Sequence, residues 1–159
     1  MRTLPFDFDR TWTFGVPPDE LWSVMTRTGD FPSWWSWLRR CETGGLAPGA
    51  VARCEVQAPL PYVLRFDVHV DRLEEGRLVE TTVRGDLAGP ARLEIERADG
   101  TASAARLAWS LDVRAPLLRS LAVVARPAMV WAHDRIVAVG VAQFERRALS
   151  GADGDGHAR

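Results

Sequence analysis

Tyr62-Val63-Leu64-Arg65-Phe66-Asp67-Val68-His69-Val70-Asp71 is the stretch that decides the fold. Tyr62, Leu64, Phe66, Val68 and Val70 occupy one face of a period-two pattern; Arg65, Asp67, His69 and Asp71 occupy the other. Such alternation marks a half-buried β-strand. A strand with one dry and one wet face belongs to an antiparallel sheet covered on one side, because parallel strands are buried on both. Leu107, Trp109, Leu111 and Val113 repeat the pattern against Arg106, Ser110, Asp112 and Arg114. The sheet needs one apolar layer to cover it.

Working outward, the cover lies downstream. After Ala115-Pro116, residues 117–149 contain no glycine except Gly140 and read as a long helix. Leu117, Leu121, Val124, Ala128 and Ala132 recur at helical spacing, with Leu118, Ala125, Met129 and Ile136 beside them. Pro127 is expected to kink this helix or split it in two. The glycine-rich polar segment 150–159 reads as a disordered tail. Upstream, residues 6–14 alternate as an opening strand, and Gly15-Val16-Pro17-Pro18-Asp19-Glu20 stops it and starts a helix carrying Leu21, Trp22, Val24 and Met25. Thr28-Gly29-Asp30 breaks that helix, and Asp30 is placed to cap a second short one bearing Phe31, Trp34, Trp35 and Leu38. Between Cys41 and Arg114, glycine and proline pairs, Gly89-Pro90 among them, punctuate a run of strands. The order is strand, two short helices, about six strands, long helix. That predicts an α+β fold in which a curved antiparallel sheet of about seven strands wraps around the C-terminal helix. One domain spans residues 1–149, with a cavity on the concave side roofed by the short helices.

Composition removes several function classes. A net charge of −1 and a pI near 6.3 give no basic footprint for nucleic acid. No stretch is long and apolar enough for stable membrane insertion, and the N-terminus lacks a signal peptide's apolar core, so a cytoplasmic location is expected. All 20 basic side chains are arginine, and the absence of lysine excludes Schiff-base chemistry and a Walker phosphate loop. Histidines 69, 133 and 157 stand apart with no carboxylate cluster, so neither a metal nor another cofactor is expected. Cys41 and Cys54 do not have the spacing of a zinc site or a redox pair and are expected as reduced, partly buried thiols. No nucleophile elbow is present.

What remains is aromatic. Three of seven tryptophans, Trp34, Trp35 and Trp37, cluster after the first helix, where one short element cannot aim all three inward. Phe66 and Trp109 fall on inward strand faces, Met129 and His133 on the apolar flank of the long helix, and Tyr62 opens its strand on the apolar side. These eight residues are the candidate ligand contacts. His133 and Tyr62 are the only candidates for proton transfer, while packing alone accounts for both equally well. Trp131 lies roughly 200° around the helix from His133 and is assigned to a sheet edge or an oligomer surface. Arg65, His69, Glu80 and Arg84 read as a solvated cross-strand charge network.

Three segments carry a family resemblance: Val16-Pro17-Pro18-Asp19-Glu20-Leu21-Trp22, Asp30-Phe31-Pro32-Ser33-Trp34-Trp35-Ser36-Trp37-Leu38, and Pro90-Ala91-Arg92-Leu93 with the long helix after it. Together they resemble the START-like, or SRPBCC, superfamily of helix-grip proteins over residues 6 to about 149. That superfamily includes birch pollen allergen relatives, lipid-transfer START domains, polyketide cyclases and aromatases, and a chaperone activator. The resemblance implies binding or transport of a hydrophobic small molecule (lipid, isoprenoid or polyketide) by a monomer or homodimer. An alternative is a polyketide cyclase or dehydratase using the same cavity, although no arginine falls on an apolar face to steer a poly-ketone. A third is a protein-interaction module using the outer sheet face. Whether the chain is an enzyme stays open at this level.

Overall fold

A computed structural model describes residues 6–57 and 63–149, with the side chains of 117, 118 and 121–125 outside the described set. The chain runs β1 (Phe6–Phe14), α1 (Pro18–Met25), a 3₁₀ turn (Thr28–Asp30), α2 (Phe31–Trp34), β2 (Leu38–Thr43), β3 (Val51–Gln57), β4 (Val63–Glu74), β5 (Leu78–Gly85), β6 (Leu87–Arg97), β7 (Ser103–Val113) and α3 (Pro116–Phe144), closed by a π turn (Glu145–Leu149). Among the described residues the strands form one antiparallel sheet in the order β1-β7-β6-β5-β4-β3-β2. This is the expected α+β helix-grip fold.

The strand order explains the roof. β1 and β2 are the two edges of the sheet, so α1 and α2 must carry the chain from one edge to the other across one end. From β2 the chain returns strand by strand until β7 pairs with β1, and α3 then crosses the concave face. Register shifts at Leu38/Arg40 and Val70/Arg72 mark bulges, which bend the strands and increase their twist.

The helices follow from their residues. Pro18 occupies the first turn of α1 with Asp19 and Glu20, where a missing N–H costs nothing and negative charge meets the helix dipole. Leu21, Trp22 and Val24 are its buried face. They join Phe14, Trp34, Val70, Val79, Ile95, Ala105, Phe144 and Ala148 in the main core. The buried Ser103 hydroxyl donates to the Val16 carbonyl at 2.5 Å, pinning the start of the roof to β7. A second, smaller core gathers Val113 and Ala115 with Phe6, Leu64, Leu87 and Met129 around the start of α3.

Four local expectations are corrected. α3 is one continuous helix through Pro127, so the expected split does not occur: the proline removes one backbone bond, and a helix of 29 residues keeps the others. Asp30 is not a side-chain cap: it sits in helical φ/ψ at the end of the 3₁₀ turn, and its carboxylate faces Arg27 instead. Leu38 opens β2 instead of closing α2, since Trp35 is already extended. Gly89-Pro90 lies inside β6, where the pairing with β7 skips both residues. Gly89 has φ +148°, and a Cβ there would lie 2.0 Å from the Ser110 carbonyl oxygen, so only glycine admits this approach. The expected tail 150–159, Tyr62, and the side chains of Leu117, Leu118, Leu121, Val124 and Ala125 lie outside the described residues.

Candidate functional site

The two cores leave space between them under α3. An apolar cavity of about 200 Å³ is walled by Val56 of β3, Leu64 and Phe66 of β4, Leu87 of β6, Trp109, Leu111 and Val113 of β7, and Met129, Ala132, His133 and Ile136 of α3, with Phe6 and Trp37 completing it. Period-two patterning puts alternate residues of β4 and β7 on this face, and spacings of three and four put Met129, Ala132, His133 and Ile136 on one side of α3. Among the described residues, side-chain nitrogen or oxygen enters this lining from Trp37, Trp109 and His133.

Two of these polar groups already satisfy each other. The Trp109 indole N–H donates to His133 Nε2 at 3.1 Å. An indole N–H can only donate, so Nε2 presents its lone pair and the neutral ring carries its proton on Nδ1, 3.2 Å from the Asp134 carboxylate. Phe8 stacks on Trp109 with centroids 4.4 Å apart and meets the His133 ring edge-on at 5.1 Å. Phe8 faces Trp109 directly in the β1–β7 register, so strand pairing builds the aromatic shell that fixes the histidine. A ring held this way is a positioned polar feature in an apolar wall. Its Nε2 is not free to take a substrate proton unless the Trp109 bond breaks.

Two further spaces adjoin the first. One of about 300 Å³ lies beneath α1 and the second half of α3, between Trp12, Leu21, Met25, Trp35, Ile95 and Phe144. Another of about 250 Å³ lies over β2, β3 and β4 and includes Phe31, Leu46, Cys41, Cys54 and Val68. Trp37 borders all three. Cys41 and Cys54 face each other in the β2–β3 register with sulfurs 4.0 Å apart, a proximity their spacing in sequence does not disclose. The Cys54 thiol donates toward Cys41, which holds Cys41 below the usual thiol value and raises Cys54.

Of the eight candidate contacts, Trp37, Phe66, Trp109, Met129 and His133 meet at the first cavity. Trp35 lies across Trp37, stacked on it at 5.5 Å, and lines the other two spaces. Trp34 is buried in the core against Phe144. Sequence reasoning passed over Val56, Leu87 and Ala132 as wall residues; strand alternation and the helical spacing from His133 were the available signals. Trp131 is 58% exposed, which removes the sheet-edge alternative and leaves the oligomer-surface one untested.

The outer sheet face is a charge lattice. Arg65 pairs with Glu55, Arg92 with Glu80 and Glu94, and Arg106 forks onto Asp9 with contacts of 2.8 and 2.5 Å. The Arg106 guanidinium holds the Asp9 carboxyl below its usual value. Among the described residues no cluster of three metal-ligating side chains occurs, and no helix is long and apolar enough to cross a membrane.

Comparison with known proteins follows the same lines. The family model for polyketide cyclase/dehydrase and lipid transport matches residues 5–148. Comparison with curated proteins gave no match. Among solved structures, TTHA0849 from Thermus thermophilus superposes with a TM-score of 0.76 at 10% identity, covering 92% of this chain and 99% of its own. The ZhuI aromatase/cyclase from Streptomyces sp. R1128 gives 0.64 at 15% identity, with coverages of 91% and 98%. A START superfamily protein from Mycobacterium smegmatis gives 0.58 at 14% identity, with coverages of 84% and 98%. At such identities the structural likeness establishes a shared fold.

Proposed function

We propose a function from one premise: the chain belongs to the polyketide cyclase/dehydrase and lipid-transport family. Within that family it binds a hydrophobic small molecule, such as a lipid, isoprenoid or polyketide, between sheet and α3, and carries it unchanged. The observation behind this reading is the chemistry of the wall. Among the described residues, apart from Trp37, the polar groups facing the first cavity are Trp109 and His133, and they are bonded to each other. Such a wall gains affinity by removing ligand surface from water, at about 25 cal/mol per Å². The polar pair serves to orient the ligand, the usual division of labour in small-molecule sites.

A second reading has its own support. Asp134 beside His133 Nδ1 is the arrangement of a base and its orienting carboxylate, which suits a cyclase or dehydratase acting in the same cavity. One experiment separates the two. The protein is titrated with the apolar fluorophore 1-anilinonaphthalene-8-sulfonate, then incubated with a linear poly-ketone that competes for the site. Saturable one-to-one binding with the poly-ketone recovered unchanged supports the carrier. A cyclised or dehydrated product that disappears in His133→Ala supports the enzyme. Absence of saturable binding removes both.

A further inference from the structure

We infer that Trp37 is a movable partition, and that the ligand proposed above is an elongated apolar molecule with a carbonyl or hydroxyl oxygen, seated by displacing this indole. The inference rests on the ligand-binding reading and adds the ligand's length and the residue that sets it. Trp37 borders spaces of about 200, 300 and 250 Å³. Small-molecule sites typically measure about 300–1,000 Å³. Each lobe alone is at or below that lower bound, and lobes joined by removing the partition fall within the range.

The bonding of the two stacked indoles shows which one can move. The Trp35 N–H donates to the Gly140 carbonyl at 2.9 Å and is fixed to α3. Among the described residues the buried Trp37 N–H has no hydrogen-bond partner, a condition rare enough in folded proteins to require an explanation. Stacking and van der Waals contact alone hold its ring. Gly140 gives that ring its berth: a Cβ there would lie 3.3 Å from Trp37 Cζ2. A glycine inside a helix is disfavoured, and this close approach accounts for it. The Gln143 side-chain oxygen, one turn further along α3, is likewise buried and unpartnered, although its amide donates to Ser36. Both unsatisfied atoms sit where the segment 34–37 meets α3. Displacement by a ligand oxygen gives the Trp37 N–H the acceptor it lacks.

The test uses two alcohols that share a hydroxyl and differ in length, 1-hexanol and 1-dodecanol. Indole ¹H–¹⁵N spectra of the full chain are recorded during titration, with the Trp37 resonance assigned from Trp37→Phe. Dodecanol is expected to shift the Trp37 signal downfield as its proton gains an acceptor, while hexanol binds and leaves it in place. In Trp37→Ala the affinity ratio of dodecanol to hexanol is expected to rise by up to about tenfold, the equivalent of one aromatic pair no longer displaced. Binding of both alcohols with the Trp37 signal unmoved refutes the partition and leaves the ligand-binding reading standing. Binding of neither alcohol overturns both.

Discussion

Filling the first cavity should strengthen the fold and weaken the proposed ligand binding. Ala132 is buried on the face of α3 that lines this space. Ala132→Leu places three more carbons there, worth about 2.4 kcal/mol at 0.8 kcal/mol per buried methylene. Rotamer ordering returns about 0.5–1 kcal/mol of that. The net expectation is a gain of about 1.5–2 kcal/mol, which raises Tm by about 3–8 °C for a domain of this size. Urea unfolding at an unchanged m-value measures the gain, and titration with 1-anilinonaphthalene-8-sulfonate should show affinity falling at least about tenfold, the equivalent of 1.4 kcal/mol. A loss of more than about 1 kcal/mol would mean that the site is already packed and has been overfilled. A stabilised variant that still binds the fluorophore would place the ligand elsewhere.

Three other outcomes are expected. Ser103→Ala leaves the Val16 carbonyl without its buried donor and should cost about 1–3 kcal/mol, read by urea unfolding; a change below about 0.5 kcal/mol would show that the roof is not pinned there. Diamide should remove the two thiol hydrogens and join Cys41 to Cys54 within one chain, because directly opposed antiparallel residues have Cα separations compatible with a disulfide; intact mass and thiol titration report it, and two persisting thiols contradict the β2–β3 register. The Asp9 carboxyl titrates lower folded than unfolded because of Arg106, so its stabilising contribution is present above about pH 4 and is lost as the pH falls through the folded value. Asp9→Asn should therefore show a smaller stability loss between pH 7 and pH 3 than the parent chain; an identical loss would show the pair to be inert.

Local periodicity made the fold legible. Alternation in Leu64–Val70 and Leu107–Val113 fixed which strand faces look inward, and the glycine-poor run after Pro116 supplied the covering helix. The split expected at Pro127 does not occur, because the penalty of one lost backbone bond is a local quantity and α3 continues through it. The site was legible only in part. Phe66, Trp109 and His133 followed from facing direction alone, but the Trp109–His133 hydrogen bond spans 24 residues and depends on how strand and helix dock. The Cys41–Cys54 contact depends on register, which no spacing rule supplies. Spacing alone offers Trp35 with either Trp34 or Trp37 as roof aromatics and does not single out Trp37. Its distinct position emerges only where three spaces meet, beside the glycine that makes room for it.

In the proposed function an apolar molecule occupies the space between sheet and α3. Native mass spectrometry of the chain isolated from its own cells without denaturant tests it most directly. The expected result is a non-covalent adduct of one apolar molecule per chain, released by organic solvent and missing from Ala132→Leu prepared in the same way. Bare chain mass alone for the parent protein, under conditions that keep added 1-dodecanol bound, would contradict it.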